Sequence, residues 1–162
     1  MTYPDAETLI QSFDLTRRVI HMQTEGLTNA DSLLQPPFRA NCLNWVLGHI
    51  LVGRNQVLGH LDAPQFWGEA EEARYRSGSD PVTGEEQALS LERLLADLDR
   101  SQAQIAAALE SVSPASLDEP AESSGRERSR GEAMAFLHWH ETYHTGQLEL
   151  LRQLAGKNDA II

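Results

Sequence analysis

The sequence predicts an all-α fold, a four-helix bundle with long loops between its helices. Three observations carry that prediction. Four stretches repeat apolar residues every three or four positions, the period of one helix face. No stretch alternates apolar and polar residues in the manner of a half-buried strand. Pro36, Pro37, Pro64, Pro81, Pro114 and Pro120 fall between the four stretches, and Gly26 and Gly156 follow the first and the last. At 162 residues the chain fits a single domain spanning 1–162, with a tail from about 156.

The first helix is expected from about Asp5 to Glu25. Leu9, Phe13, Thr16 and Ile20 form its buried stripe, Asp5 or Thr2 can cap it, and Gly26 stops it. A short helical turn over Asn29 to Gln35 ends at Pro36-Pro37, which forbid its continuation. The second helix starts near Asn41 or Asn44 and runs to about Leu61. Its apolar set is Val46, Leu47, Ile50, Leu51, Val57, Leu58 and Leu61, with His49 among them. Gly48 and Gly53 flank that histidine. A glycine inside a helix costs about 1 kcal/mol relative to alanine, so the two mark close packing or open space there.

Residues 62–82 carry Pro64, Gly68, Gly78 and Pro81 and read as a long loop. The third helix is expected from about Glu85 to Val112. Thr83-Gly84-Glu85-Glu86 has the spacing of a capping box, and Leu91, Leu94, Leu95, Leu98, Ile105, Leu109 and Val112 make the stripe. Residues 113–130 hold Pro114, Pro120 and Gly125 and read as a solvated loop, including the basic run Arg126-Glu127-Arg128-Ser129-Arg130. The fourth helix opens at Ser129-Arg130-Gly131-Glu132, a second capping-box spacing, and runs to about Leu154, with Gly156 as its stop.

Composition narrows the function. Lys+Arg is 13 and Asp+Glu is 24, a formal net charge of −11. An acidic surface repels phosphate backbones and anionic lipid, so neither nucleic acid nor a membrane surface is an expected partner. No apolar run approaches the ~20 residues of a membrane span. The first residues have neither the basic nor the apolar segment of a signal peptide. The single cysteine, Cys42, rules out an intrachain disulfide and is compatible with a reducing compartment. The expected location is the cytoplasm.

The chemistry concentrates in Phe136-Leu137-His138-Trp139-His140-Glu141-Thr142-Tyr143-His144-Thr145-Gly146-Gln147-Leu148. His140 and His144 are four apart, one above the other on one helix face. Phe136, Leu137, Leu148 and Leu151 share that face, so it is expected to point at the core. An unpaired buried polar group costs about 1–3 kcal/mol, and two adjacent imidazoles need a common solution. Neutral imidazole is the commonest metal ligand, and one ion can satisfy both rings. A third ligand can come from His21, His49, His60 or His138. His138 is expected on the opposite side of its helix, and His21 and His60 lie near helix ends. His49 is well inside its helix and matches best. Cys42 precedes His49 by seven residues, about 10 Å along a helix, and is not counted as a ligand.

Two motifs promise more than they support. His140-Glu141-Thr142-Tyr143-His144 matches the H-E-x-x-H helix of zinc proteases, with Glu141 as general base. The third ligand of those enzymes lies downstream. Only eighteen residues follow His144, with no histidine among them and Glu149 and Asp159 as the only acids. Glu141 and His144 also match the E-x-x-H of di-iron bundles, which need the motif twice. No other histidine here follows a glutamate by three, so one metal fits better than two.

Asn44-Trp45-Val46-Leu47-Gly48-His49-Ile50, taken with His140-Glu141-Thr142-Tyr143-His144-Thr145-Gly146-Gln147-Leu148, resembles the DinB-like metal-binding four-helix proteins, the DinB/YfiT superfamily. The resemblance runs from the first helix to Leu154. It implies a divalent ion held by one histidine of helix two and the pair of helix four, here His49, His140 and His144. Three imidazoles suit zinc or nickel first, with iron or another such metal as alternatives. Some members of the family use bacillithiol or mycothiol in transferase reactions, or mycothiol in maleylpyruvate isomerisation. The resemblance therefore implies a small-molecule substrate, a low-molecular-weight thiol and a homodimer. The alternative is a non-catalytic metal-binding stress or sequestration protein. Glu141 is a candidate base or a support behind the ligands. Gln147 and Tyr143 are candidates to orient a bound ligand, Tyr143 more simply as a packing residue with its hydroxyl at the surface.

Overall fold

The computed structural model describes residues 3–123, 125–159 and 161. These form helices α1 (Ala6–Thr24), α2 (Asn29–Ser32), α3 (Leu43–His60), α4 (Glu69–Tyr75), α5 (Leu91–Ser111), α6 (Pro114–Leu117) and α7 (Arg130–Leu154). Strands β1 (Pro120–Ser123) and β2 (Arg126–Ser129) precede α7. The fold is mostly helical, and its core lies among α1, α3, α5 and α7. Their contacts run α1 to α5, α5 to α3, α3 to α7 and α7 back to α1, which closes a ring. Leu9, Phe13, Ile20, Leu47, Leu51, Leu98, Ile105 and Leu148 fill it. Each such side chain contributes about 1.5–3 kcal/mol by leaving water. No helix among the described residues is long and apolar enough to cross a membrane.

Helix ends follow local chemistry where the capping group is adjacent in sequence. The Asp5 carboxylate accepts from the Thr8 N–H at 2.8 Å at the start of α1. Thr2, the other candidate cap, lies outside the described residues. Ser129 and Glu132 exchange bonds as a full capping box at the start of α7. After α7, Gly156 turns to φ +79°, the left-handed conformation glycine adopts without strain. Residue 160 and residue 162 of the expected tail lie outside the described residues.

Two helix starts differ from expectation. Neither Asn41 nor Asn44 caps α3; Cys42 stands at the cap, and its side chain makes no capping bond. Asn44 instead donates to the Leu89 carbonyl at 2.8 Å and accepts from the Tyr75 hydroxyl at 3.0 Å. α5 begins at Leu91, six residues after the expected Glu85, with Ser90 as its cap. The reason is tertiary. Thr83 bonds the Gln87 side chain, and the Leu89 N–H donates to the Tyr75 hydroxyl at 2.7 Å. Residues 84–88 form separate turns instead of a first helical turn.

The two expected loops are partly regular. Residues 62–82 contain α4, and 113–130 contain α6 and an antiparallel hairpin, registered from Pro120 opposite Ser129 to Ser123 opposite Arg126. Neither strand carries an apolar alternation that would announce it. The basic run is engaged in the fold. Arg128 stacks over the Phe136 ring at 4.4 Å, and Arg130 pairs with Asp62 and Glu119. Phe136 is therefore half-buried beneath an arginine, outside the core stripe expected for it.

The glycines beside His49 differ in kind. A Cβ on Gly48 would lie 2.3 Å from the Tyr75 ring, whereas one on Gly53 would meet nothing within 4 Å. Gly48→Ala is expected to destabilise the protein by about 1–3 kcal/mol through overpacking. Gly53→Ala is expected to stabilise it by up to about 1 kcal/mol through helix propensity. Urea denaturation of the two variants checks this, and shifts of the same sign would contradict it.

Candidate metal centre

α3 and α7 bring three histidines to one point. His140 Nε2 lies 3.0 Å from His144 Nε2 and 3.3 Å from His49 Nε2. One ligand atom from each ring lies within 4.8 Å of the other two. The far sides of two rings are held. His49 Nδ1 donates to the Tyr75 backbone carbonyl at 2.8 Å, and His144 Nδ1 donates to the Gln147 side-chain oxygen at 2.8 Å. A carbonyl oxygen accepts only from N–H, so both Nε2 atoms carry lone pairs.

That arrangement fits a metal ion. A proton on His140 Nε2 can serve one neighbouring lone pair at a time, while a cation can serve all three nitrogens. Tetrahedral ligands about 2.0–2.1 Å from zinc lie about 3.3 Å from one another, close to the two spacings from His140 Nε2. Burial lowers the basicity of all three rings. The His49 imidazole is pushed down chiefly by burial and also by His144, against the Tyr75 bond. His144 is pushed down by burial, against its bond to Gln147. Burial, then the neighbouring His144 and His49, take His140 from 6.5 to about 4. All three are neutral near pH 7, the state that binds metal.

Depressed histidines have a consequence for the metal-free protein. In the unfolded chain His140 takes a proton near 6.5; in the fold it resists until about 4. Unfolded chains then bind more protons between those values, so stability is fully present above about 6.5 and is lost as pH falls toward about 4. Urea midpoints of chelated protein should fall from pH 7 to pH 5, and His140→Ala should flatten that dependence. A midpoint independent of pH over this range in the wild type would contradict it.

The histidines form one wall of a pocket of about 450 Å³. Trp45, one helical turn before His49, stacks on its ring at 4.8 Å with planes 17° apart. Its indole N–H donates to Ser79 Oγ at 2.9 Å. Ser77 lines the same pocket and Tyr75 holds His49, so the 62–82 segment helps build the site.

Of the four candidates for a third ligand, only His49 reaches the pair. His21 meets Asp99 at 2.8 Å across the helix surface, and His138 sits edge-on to Phe13 at 5.1 Å. His60 is at the end of α3, where its backbone carbonyl accepts from Arg130. Cys42 is buried with its thiol against the Val82 carbonyl. Glu141 is 2 % exposed, and its carboxylate is taken up by Arg54 at 2.7 and 2.9 Å and by the Thr16 hydroxyl. Buried and held at both oxygens, it does not line the pocket beside the histidines, so it stands as a support and not as a general base. The Gln147 side-chain oxygen orients a histidine, and the residue also lines the pocket. Tyr143 is 58 % exposed, its ring edge-on to His144 at 5.1 Å.

Trp45 and Arg54 support the site although the sequence alone assigns neither a role. Trp45 had a signal, since i and i+4 share a helix face. Arg54 had one too: it stands on the apolar stripe, four residues after Ile50 and four before Leu58.

Comparison with known proteins follows the same lines. The family model of the DinB superfamily matches residues 12–148, which include all three histidines. A DinB-like protein from Bacillus cereus has a solved structure that superposes with a TM-score of 0.73. It is 18% identical, over 96% of this chain and 95% of that one. The conserved protein of a locus from Enterococcus faecalis superposes with a TM-score of 0.70 at 14% identity, over 92% of this chain and 95% of that one. At these identities the likeness is one of fold. No curated protein matches the sequence.

Proposed function

This chain belongs to the DinB superfamily, and on that premise we propose that it is a divalent-metal protein that transfers or isomerises small molecules with a low-molecular-weight thiol. The ring of α1, α3, α5 and α7 is read as the family's four-helix bundle. The observation that carries the proposal is the convergence of three neutral Nε2 atoms at the wall of a pocket. Closed structural zinc sites usually have four protein ligands, whereas three leave a position for a ligand from solution. Zinc or nickel suits the donor set first, with iron or another divalent metal as alternatives.

When bound, the ion would act as a Lewis acid that lowers the pKa of a coordinated thiol or water. The chain's own residues hold and shield it. Tyr75 and Gln147 set the tautomers of His49 and His144. Trp45 fixes the plane of His49 and supplies an apolar wall. A thiolate that attacks an electrophilic carbon needs no general base once its proton is gone, and Glu141, spent on Arg54, offers none. That favours thiol chemistry over peptide hydrolysis. A cytoplasmic homodimer completes the proposal. The exposed Trp139, Tyr143 and Leu150 on α7 suit a contact between copies, and a free Cys42 suits a reducing compartment.

The second reading is metal sequestration without turnover, favoured by the absence of any carboxylate from the pocket lining. Zinc- or nickel-loaded protein incubated with a set of thiols and monochlorobimane separates the two. Metal-dependent conjugation supports the transferase, and no conjugation with any thiol supports sequestration.

A further inference from the structure

The pocket beside the histidines departs from the rest of the molecule in charge. The chain carries 24 acidic residues and a net charge of −11, yet no carboxylate lines this pocket. Arg39 does line it, on the segment between α2 and α3. Among the described residues the Arg39 guanidinium meets no hydrogen-bond or ion-pair partner. Arg17, Arg54, Arg76, Arg130 and Arg152 each meet a carboxylate. In an acidic protein an arginine left without an acid at the mouth of a cavity is a free anion receptor.

Two amides share that lining. The Gln147 oxygen is spent on His144, so its NH₂ group remains to donate, and Asn41 stands beside Arg39. Phe38, Trp45 and Leu150 add apolar surface to the same lining. Three neutral imidazoles would also leave the charge of a bound cation uncompensated.

We infer that the pocket takes a small molecule bearing a carboxylate, which pairs with Arg39 while its apolar part lies against Trp45. A single planar guanidinium matches a planar monoanion in a bidentate pair; a phosphate dianion would be left half neutralised. The carboxylate can belong to the thiol or to a separate substrate. The inference rests on the reading of His49, His140 and His144 as ligands of an ion with an open position.

Binding separates these cases without any assay of turnover. Cobalt-loaded protein is titrated with N-acetylcysteine and with N-acetylcysteine amide, which differ only in the carboxylate, and followed by the visible absorption of the ion and by tryptophan fluorescence. Propionate, propionamide and inorganic phosphate are titrated in parallel by calorimetry. The wild type should bind N-acetylcysteine about tenfold more tightly than its amide, the worth of one charge-assisted pair. R39Q should bring that ratio near one with cobalt content unchanged, and R39K should restore part of it. Equal affinity for acid and amide in the wild type, a preference that survives R39Q, or phosphate bound more tightly than propionate would each overturn the inference. Thiols that bind without regard to charge would overturn it and leave the proposed thiol function standing. If neither thiol binds but propionate binds over propionamide through Arg39, the carboxylate site holds and the thiol function falls. No binding of any probe overturns both.

Discussion

Arg54→Ala should destabilise the protein by about 3–5 kcal/mol, the cost of leaving a buried charge without its partner. The Arg54 side chain is 0% exposed and that of Glu141 3%. All five N–H donors of the guanidinium are used. They reach both oxygens of Glu141 on α7, the Phe13 carbonyl on α1, and Ser101 and Gln102 on α5. One side chain from α3 thus ties the other three long helices. For a chain of this size the expected loss corresponds to a fall in Tm of roughly 10 °C. Glu141→Gln should show a similar loss. The double variant Arg54→Met with Glu141→Leu should be less destabilised than either single change, because it strands no charge in the core. Thermal and urea denaturation of the chelated proteins measures all three. A cost for Arg54→Ala below about 1 kcal/mol would mean that water reaches the pair and that the description of this core is wrong.

His49→Ala should abolish stoichiometric metal binding while leaving the fold in place. Losing a group that merely orients a ligand typically lowers metal affinity about 10–100-fold, so losing a ligand should lower it by at least about a hundredfold. Elemental analysis after gel filtration against a weak chelator gives the readout, with His140→Ala and His144→Ala expected to behave alike. Far-ultraviolet circular dichroism confirms that helix content persists. Equal metal content in the wild type and these variants would remove the metal centre. Gln147→Ala offers a graded companion, since it frees the His144 ring without deleting a donor nitrogen.

The same residues show where sequence reasoning reaches and where it stops. The long helices are legible because their stripes recur within a turn or two, as with Leu9, Phe13, Thr16 and Ile20, all buried in α1. Caps are legible when donor and acceptor are three residues apart, as at Asp5 and Ser129. The start of α5 is not, because the Tyr75 hydroxyl takes the Leu89 N–H from fourteen positions away. The hairpin over 120–129 is not, because its strands lack a buried face. In the centre, the His140 and His144 pair follows from spacing alone, and the position of His49 singles it out among four histidines.

The chain by itself therefore determined four long helices, an acidic composition and a paired-imidazole face on the last helix, since all of these arise from residues a turn apart or from summed composition. Only the tertiary structure decided that Glu141 joins Arg54, that Gln147 serves His144, and that Arg39 faces a pocket without acids. A side chain's role in such places is set by the group opposite it, and for Glu141 that group lies 87 positions away. Periodicity locates a face of a helix; what that face meets depends on how the helices pack.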